Sequence, residues 1–225
     1  MFMRMFLKTV IPPMLILLIS AGSVLAEDGP SSNYLFVRGG PGWAGDSIRV
    51  EANRSGKIKF ESEYDINVGY GHYFCDWFRL EPELGYVHMK VDKMIALAGG
   101  SDTGMVGEDK HYRAMLNAYV DWKNKTAFTP FAGGGIGLVW AHHDTSFATR
   151  TGIPVVTDHK DTAFGWQLMG GVNWALNESW KLDLMFRHYQ TNDRDHSNDP
   201  AAPIIEVDVE GTESNFLELG IRYCF

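Results

Sequence analysis

Past residue 26 the sequence contains no apolar run of the ~20 residues that a membrane-spanning helix needs. That excludes a helical membrane domain. The chain also lacks a surplus of positive charge: 20 Lys and Arg stand against 28 Asp and Glu, a formal net charge of −8. Affinity for nucleic acid rests on cations that neutralise phosphates, so this balance argues against nucleic acid as a partner. Cysteine is scarce as well. Neither Cys75 nor Cys224 follows the small-residue stretch AGSVLA (21–26), which argues against lipoprotein processing.

What the N-terminus does contain is an export signal. MFMRMFLK supplies Arg4 and Lys8, TVIPPMLILLIS supplies an apolar stretch, and AGSVLA ends in the pattern cleaved by signal peptidase. Residues 1–26 are therefore expected to be a cleaved signal peptide, with the mature chain 27–225 forming one domain. An exported chain without a helical span is either soluble outside the inner membrane or embedded as strands.

The mature region reads as strands. Apolar residues recur at period two, and turn chemistry punctuates them. Eight runs have suitable length: 33–43, 59–74, 78–91, 110–122, 127–141, 161–176, 179–190 and 214–225. The connections alternate between short (CDW, KNKT, NE) and long (44–58, 92–109, 142–160, 191–213). The long ones are rich in Gly, Asp, Ser, Thr and Pro. Short turns at one end and long loops at the other predict an eight-stranded antiparallel up-and-down transmembrane β-barrel, with periplasmic turns and four extracellular loops.

The alternation separates two faces. Phe78, Leu80, Pro82, Leu84 and Tyr86 oppose Arg79, Glu81 and Glu83. Tyr64, Ile66 and Val68 oppose Glu63, Asp65 and Asn67; Trp180, Leu182, Leu184 and Phe186 oppose Lys181, Asp183 and Arg187. A soluble protein would turn the charges outward, but three features favour the inverse. Trp77, Phe78, Trp122, Phe128, Trp174, Trp180, Tyr223 and Phe225 collect near the short turns, and Trp140, Phe164 and Trp166 near the long loops, like interfacial girdles. The polar faces nearly balance, with Glu63, Asp65, Glu81, Glu83, Asp121, Asp183 and Glu218 against Arg38, Arg79, Arg113, Lys181, Arg187 and Arg222. An enclosed interior needs that balance, because an unpaired buried charge is costly. Finally, an even strand count permits closure, and lipid tolerates no open sheet edge. Gly133, Gly135, Gly137, Gly165 and Gly171 fall on the inward parity, where they are expected to make room for Arg and Glu in a narrow, plugged lumen.

The segments FRLEPELGY, TPFAGGGIGL, ALNESWKLDLMFRHY and FLELGIRYCF resemble the strands of bacterial opacity-type (surface-antigen) outer-membrane β-barrel proteins. The resemblance covers most of the mature chain. It implies location in a Gram-negative outer membrane and a terminal strand similar to the signal read by the barrel-assembly machinery, here Ile221, Tyr223 and Phe225. Members of that family serve as adhesins, immune-evasion surface proteins or envelope-stabilising proteins.

Candidate chemistry is sparse. FRHYQTND places His188 near the outer end of a strand, but position 190 is Gln, which cannot attack an ester, and Ser197 lies on the following loop. AHHD (141–144) and DHKD (158–161) could bring His142, His143, Asp144 and His159 together at the outer rim as weak metal candidates. In DRDHSND (193–199) the acids alternate as in a calcium loop, yet the sixth position is Asn198 and the twelfth Ile204, so a hydrated acidic loop is expected. Cys75 and Cys224 share the predicted periplasmic rim in an oxidising compartment and form a candidate disulfide.

The resulting expectation is a monomeric, non-enzymatic surface barrel without cofactors. Its lumenal charge network comprises Arg79, Glu81, Glu83, Arg113, Asp121, Asp183, Arg187, Glu218 and Arg222. Its expected partners are outer-membrane lipid and lipopolysaccharide, the assembly machinery, and a host-surface ligand at the loops. A narrow channel for small solutes and a lipid A-modifying enzyme are the alternatives.

Overall fold

The computed structural model describes residues 32–44, 47–51, 54–96, 106–148, 154–192, 194–195, 207–209 and 211–225. In chain order the strands are β1 (Asn33–Ala44), β2 (Ser47–Glu51), β3 (Arg54–Cys75), β4 (Phe78–Ala96), β5 (Val106–Asp121) and β6 (Phe128–Ala148). They continue as β7 (Pro154–Ala175), β8 (Trp180–Thr191), β9 (Arg194–Asp195), β10 (Val207–Val209) and β11 (Glu213–Cys224). Eight of them close into an antiparallel barrel in the order β1-β3-β4-β5-β6-β7-β8-β11. Closure runs through β1, whose Tyr34 is opposite Cys224 on one side and Gly71 on the other. The eight runs read from the sequence are these eight strands.

Tight turns join them at one end. Asp76 and Trp77 suffice between β3 and β4. After β5, Asn124 Oδ1 accepts from the Thr126 amide (2.8 Å) and hydroxyl (2.6 Å), while Asn124 Nδ2 donates to the Phe128 carbonyl (2.8 Å). After β7, Asn177 Oδ1 accepts from the amides of Ser179 and Trp180. An Asn side chain that replaces backbone partners in this way holds a turn closed.

At the opposite end the strands reach further than the sequence suggested. β6 and β7 remain paired out to Ala148 and Pro154, β4 continues to Ala96, and β2 pairs with both β3 and β10. Stretches expected as loops are thus partly sheet. Their alternation is masked because His142, His143 and Asp144 face Lys160, His159 and Asp158 in register, and polar residues on both faces leave no hydrophobic period.

The barrel is inverted relative to a soluble domain. The bulkiest fully buried side chains are Arg38, Arg79, Arg113, Arg187 and Arg222, whereas Leu116, Ile136, Leu168 and Leu219 stand outside, Leu219 at 70% exposure. An apolar outer face around a polar interior is the arrangement lipid selects. Aromatic rings mark both ends of that face. Near the tight turns Phe128 stacks on Trp174 (5.7 Å between centroids) and Trp180 meets Tyr223 (4.9 Å). At the other end Tyr64, Tyr86 and Tyr112 form a row with centroid spacings of 6.5 and 5.3 Å.

Candidate functional site

Within the barrel the inward polar side chains of seven of the eight strands form a cross-lumen network, while β6 contributes glycines and apolar residues among its described inward positions. Nearest the tight turns, Arg79 donates from Nε to Asp121 Oδ1 (3.0 Å), pairs with Glu81, and lies over the Tyr119 ring at 3.9 Å. Tyr34 donates to Glu81 Oε1, and Arg38 donates from Nη1 to Glu81 Oε2 (2.8 Å). Arg222 donates from Nε to Asp183 Oδ2 (2.5 Å), while Asn173 donates to the other oxygen at 2.8 Å.

A second layer sits further out. Arg187 donates to both oxygens of Glu83 and, through Nε, to Glu218 Oε1 at 2.5 Å. Gln167 accepts from Arg187 and donates to Asn117 Oδ1 (2.7 Å). Arg113 donates from Nη2 to Asp65 Oδ2 (3.0 Å) and Asn67 Oδ1 (2.8 Å). Glu83 ties the layers together, since Arg38 Nη1 lies 3.7 Å from its Oε2. Charge-assisted, bidentate pairs of this kind are the stronger class of hydrogen bond, and a dry interior strengthens them further.

The nine charged residues named from the sequence are all buried inside, together with Arg38, Glu63 and Asp65. Lys181 differs: it is half-buried, and its ammonium lies 5.7 Å from the centre of the Tyr73 ring. The glycines differ from expectation too. A Cβ on Gly133 would come within 2.8 Å of Tyr119 Cε1, so that glycine admits a neighbouring aromatic ring. Arg113 is accommodated by Gly85, where a Cβ would come within 2.9 Å of its Nε. Tyr34, Tyr119, Gln167 and Asn173 are network members that the sequence reading missed; inward parity was the signal available for them.

Cys75 and Cys224 are free thiols, one exposed and one buried. Cys224 is opposite Tyr34 on β1, which is opposite Gly71 on β3, and Cys75 lies further along that strand. Two strand spacings alone amount to about 10 Å, beyond the ~4.4–6.8 Å Cα separation of a disulfide. The candidate bond is therefore corrected to two separate thiols. A register shift falls between Tyr73 and Cys75, and Cys75 is exposed.

The metal candidates are brought together only as backbone. His143 is in register with His159, and His142 with Lys160; the side chains of His143, Asp144 and His159 lie outside the described residues. Of the acidic loop 193–199, Arg194 and Asp195 are described, as β9, and the rest lies outside, as do residues 1–31. His188 shares a hydrogen bond with Asn215 Oδ1 (3.0 Å) and packs beside Trp166, with Gln190 on the same strand. The terminal residues Ile221, Tyr223 and Phe225 stand on the outer face.

Comparison with known proteins agrees with this architecture. The family described as outer membrane protein beta-barrel domain matches residues 14–225. A protein of Rickettsia bellii (strain OSU 85-389) named "Putative adhesin" is 25% identical over 215 residues, covering 91% of this chain and 93% of its own. Outer membrane protein PagN of Salmonella typhimurium is 23% identical over 176 residues, covering 70% and 71%. The crystal structure of the outer membrane protein OprG from Pseudomonas aeruginosa has the same fold, with a TM-score of 0.52, 17% identity, and coverage of 88% of this chain and 99% of that one. The chain belongs to the outer membrane protein beta-barrel domain family and is an integral barrel of the Gram-negative outer membrane.

Proposed function

We propose that this barrel is a surface adhesin that acts through its extracellular end and conducts no solute. The observation that carries the reading is the division of the molecule into a polar-filled membrane section and an extended outer section. Inside the membrane, Arg and carboxylate side chains with essentially no exposure bond to one another across the lumen. Outside it, the β6–β7 ladder continues past the aromatic level at Trp140 to Ala148 and Pro154 as paired backbone. Strands already paired before binding have less backbone freedom left to lose, which suits contact with another surface. The match to a protein named as an adhesin over nearly the whole of both chains supports the same reading.

The test is attachment. Cells displaying the intact barrel should adhere to a host-cell layer above the background of cells without it. A variant with 144–158 replaced by a two-residue turn should reach the outer membrane in equal amount and lose that attachment. Attachment unchanged after this replacement, or none by the intact barrel, refutes the proposal.

A further inference from the structure

At the tight-turn end of the lumen two cations stand directly opposite each other. Lys181 on β8 is in register with Arg222 on β11, and both have the inward parity. Like charges placed this way repel. Arg222 has the Asp183 carboxylate on its Nε, whereas half-buried Lys181 forms no ion pair among the described residues. Glu178, on the turn just before β8, is exposed and does not neutralise it.

Two guanidinium nitrogens beside this pair are also unused. Arg79 Nη2 and Arg222 Nη2 are buried and have no hydrogen-bond partner among the described residues. The two guanidiniums border the same rings. They lie 5.0 Å (Arg79) and 5.6 Å (Arg222) from the centre of Phe131; Arg79 Nη1 donates to the Tyr34 hydroxyl at 2.9 Å, and Arg222 lies 5.0 Å from the Tyr34 ring. A buried N–H without a protein partner marks a place for water or an ion. The carboxylates of this end are already engaged: Asp121 by Arg79 and Tyr73, Asp183 by Arg222 and Asn173, and Glu81 by Arg38, Arg79 and Tyr34.

Tyr73, half-buried, covers the cluster. The ammoniums of Lys123 and Lys181 lie 5.6 and 5.7 Å from the centre of its ring, and Arg222 Nη1 lies 3.5 Å from its hydroxyl. Lys123 is taken by Asp76 at 3.3 Å, which leaves Lys181 as the unpaired cation. Inward parity turns these groups away from lipid, so the ligand they suit is a soluble anion arriving from the periplasmic side. Donors on three strands suit a tetrahedral oxyanion, which offers more acceptor oxygens than a carboxylate.

We infer that the periplasmic mouth of the lumen binds a phosphate-class oxyanion, held by the Lys181 ammonium and by Nη2 of Arg222 and Arg79 once the Tyr73 ring turns aside. The site lies at the opposite end from the adhesive surface and is independent of that reading. It is tested with the folded barrel in neutral maltoside micelles, titrated calorimetrically with inorganic phosphate and, separately, with acetate at constant ionic strength. The wild type should bind phosphate about tenfold more tightly than acetate. Lys181→Gln removes one charge-assisted hydrogen bond and should weaken phosphate binding about tenfold. Lys181→Arg should retain it. Lys125→Gln, at an exposed position on the same rim, should bind as the wild type does. No phosphate binding by the wild type, or equal affinity for acetate, overturns the inference whatever the variants do. Wild-type affinity in a folded Lys181→Gln barrel also overturns it, as does an equal loss in Lys125→Gln, which would reduce the effect to general rim charge.

Discussion

Arg187 on β8 reaches across the lumen to Glu83 on β4 and donates to both its oxygens, Nη1 to Oε1 at 2.6 Å and Nη2 to Oε2 at 2.9 Å. The two strands are not neighbours in the sheet. This pair therefore ties opposite walls of the barrel, and the same guanidinium also holds Glu218 beside it.

Replacing Arg187 by Met keeps most of the side-chain volume and leaves Glu83 and Glu218 without their common partner. Removing one member of a buried pair should cost about 3–5 kcal/mol. The solvated pair of Lys123 and Asp76, with side chains 54% and 87% exposed, provides the contrast, where Lys123→Met should cost about 0–1 kcal/mol. Urea unfolding in lipid vesicles, followed by the heat-modifiable gel shift, measures both. Equal losses would mean that the lumenal pair is as well solvated as the surface one.

If the network fills the lumen, the wild type should give no stepwise current in a planar bilayer. Arg38→Ala/Glu83→Ala deletes the residues joining the two layers while removing one charge of each sign, and it should introduce small, salt-dependent conductance steps. Steps of equal size from the wild type would reject the closed lumen.

The thiols can be checked chemically. In the folded barrel a maleimide should label Cys75, which is exposed, and leave Cys224, which is buried. Both should react after denaturation without reductant. Protection of both until reductant is added would re-establish the disulfide.

How far the fold was legible depends on where period two survived. Between the aromatic belts each strand has lipid on one side and a packed interior on the other, so Leu116 and Asn117 must differ, and the alternation is plain. Beyond the belts the sequence itself loses the alternation. His142, His143 and Asp144 carry no contrast there, and the outer parts of β4, β6 and β7 read as loop. The charged members of the network were legible because a charge on the inward parity has few explanations. Tyr34 and Tyr119 were not, since an inward aromatic looks the same as one in an ordinary core. Pairing within the lumen needed three-dimensional register: nothing in the spacing of Glu83 and Arg187 links them.

The two faces of one strand supply a paired substitution. Leu116→Arg puts a cation on the lipid side near the middle of β5, where it should cost about 2–4 kcal/mol. Gln at the same site brings similar bulk without charge and should cost clearly less. Unfolding midpoints of the two variants in the same vesicles decide the point. Equal midpoints would mean that Leu116 meets water or protein instead of acyl chains.

Phe225 separates assembly from stability. Its amide donates to the Asn33 carbonyl (3.0 Å), and its ring stacks beside Tyr223 (6.2 Å) while remaining 48% exposed. Deleting it removes one hydrogen bond and a half-covered ring, so the barrel refolded in vitro should lose only about 1–2 kcal/mol. In cells the effect should be disproportionate if the terminal strand is an assembly signal. The heat-modifiable form in the outer-membrane fraction should fall sharply, with unfolded chain accumulating in the periplasm. Phe225→Tyr retains an aromatic terminus and should restore most of the yield. Loss of yield only in step with loss of stability in vitro would make Phe225 a structural residue and no signal.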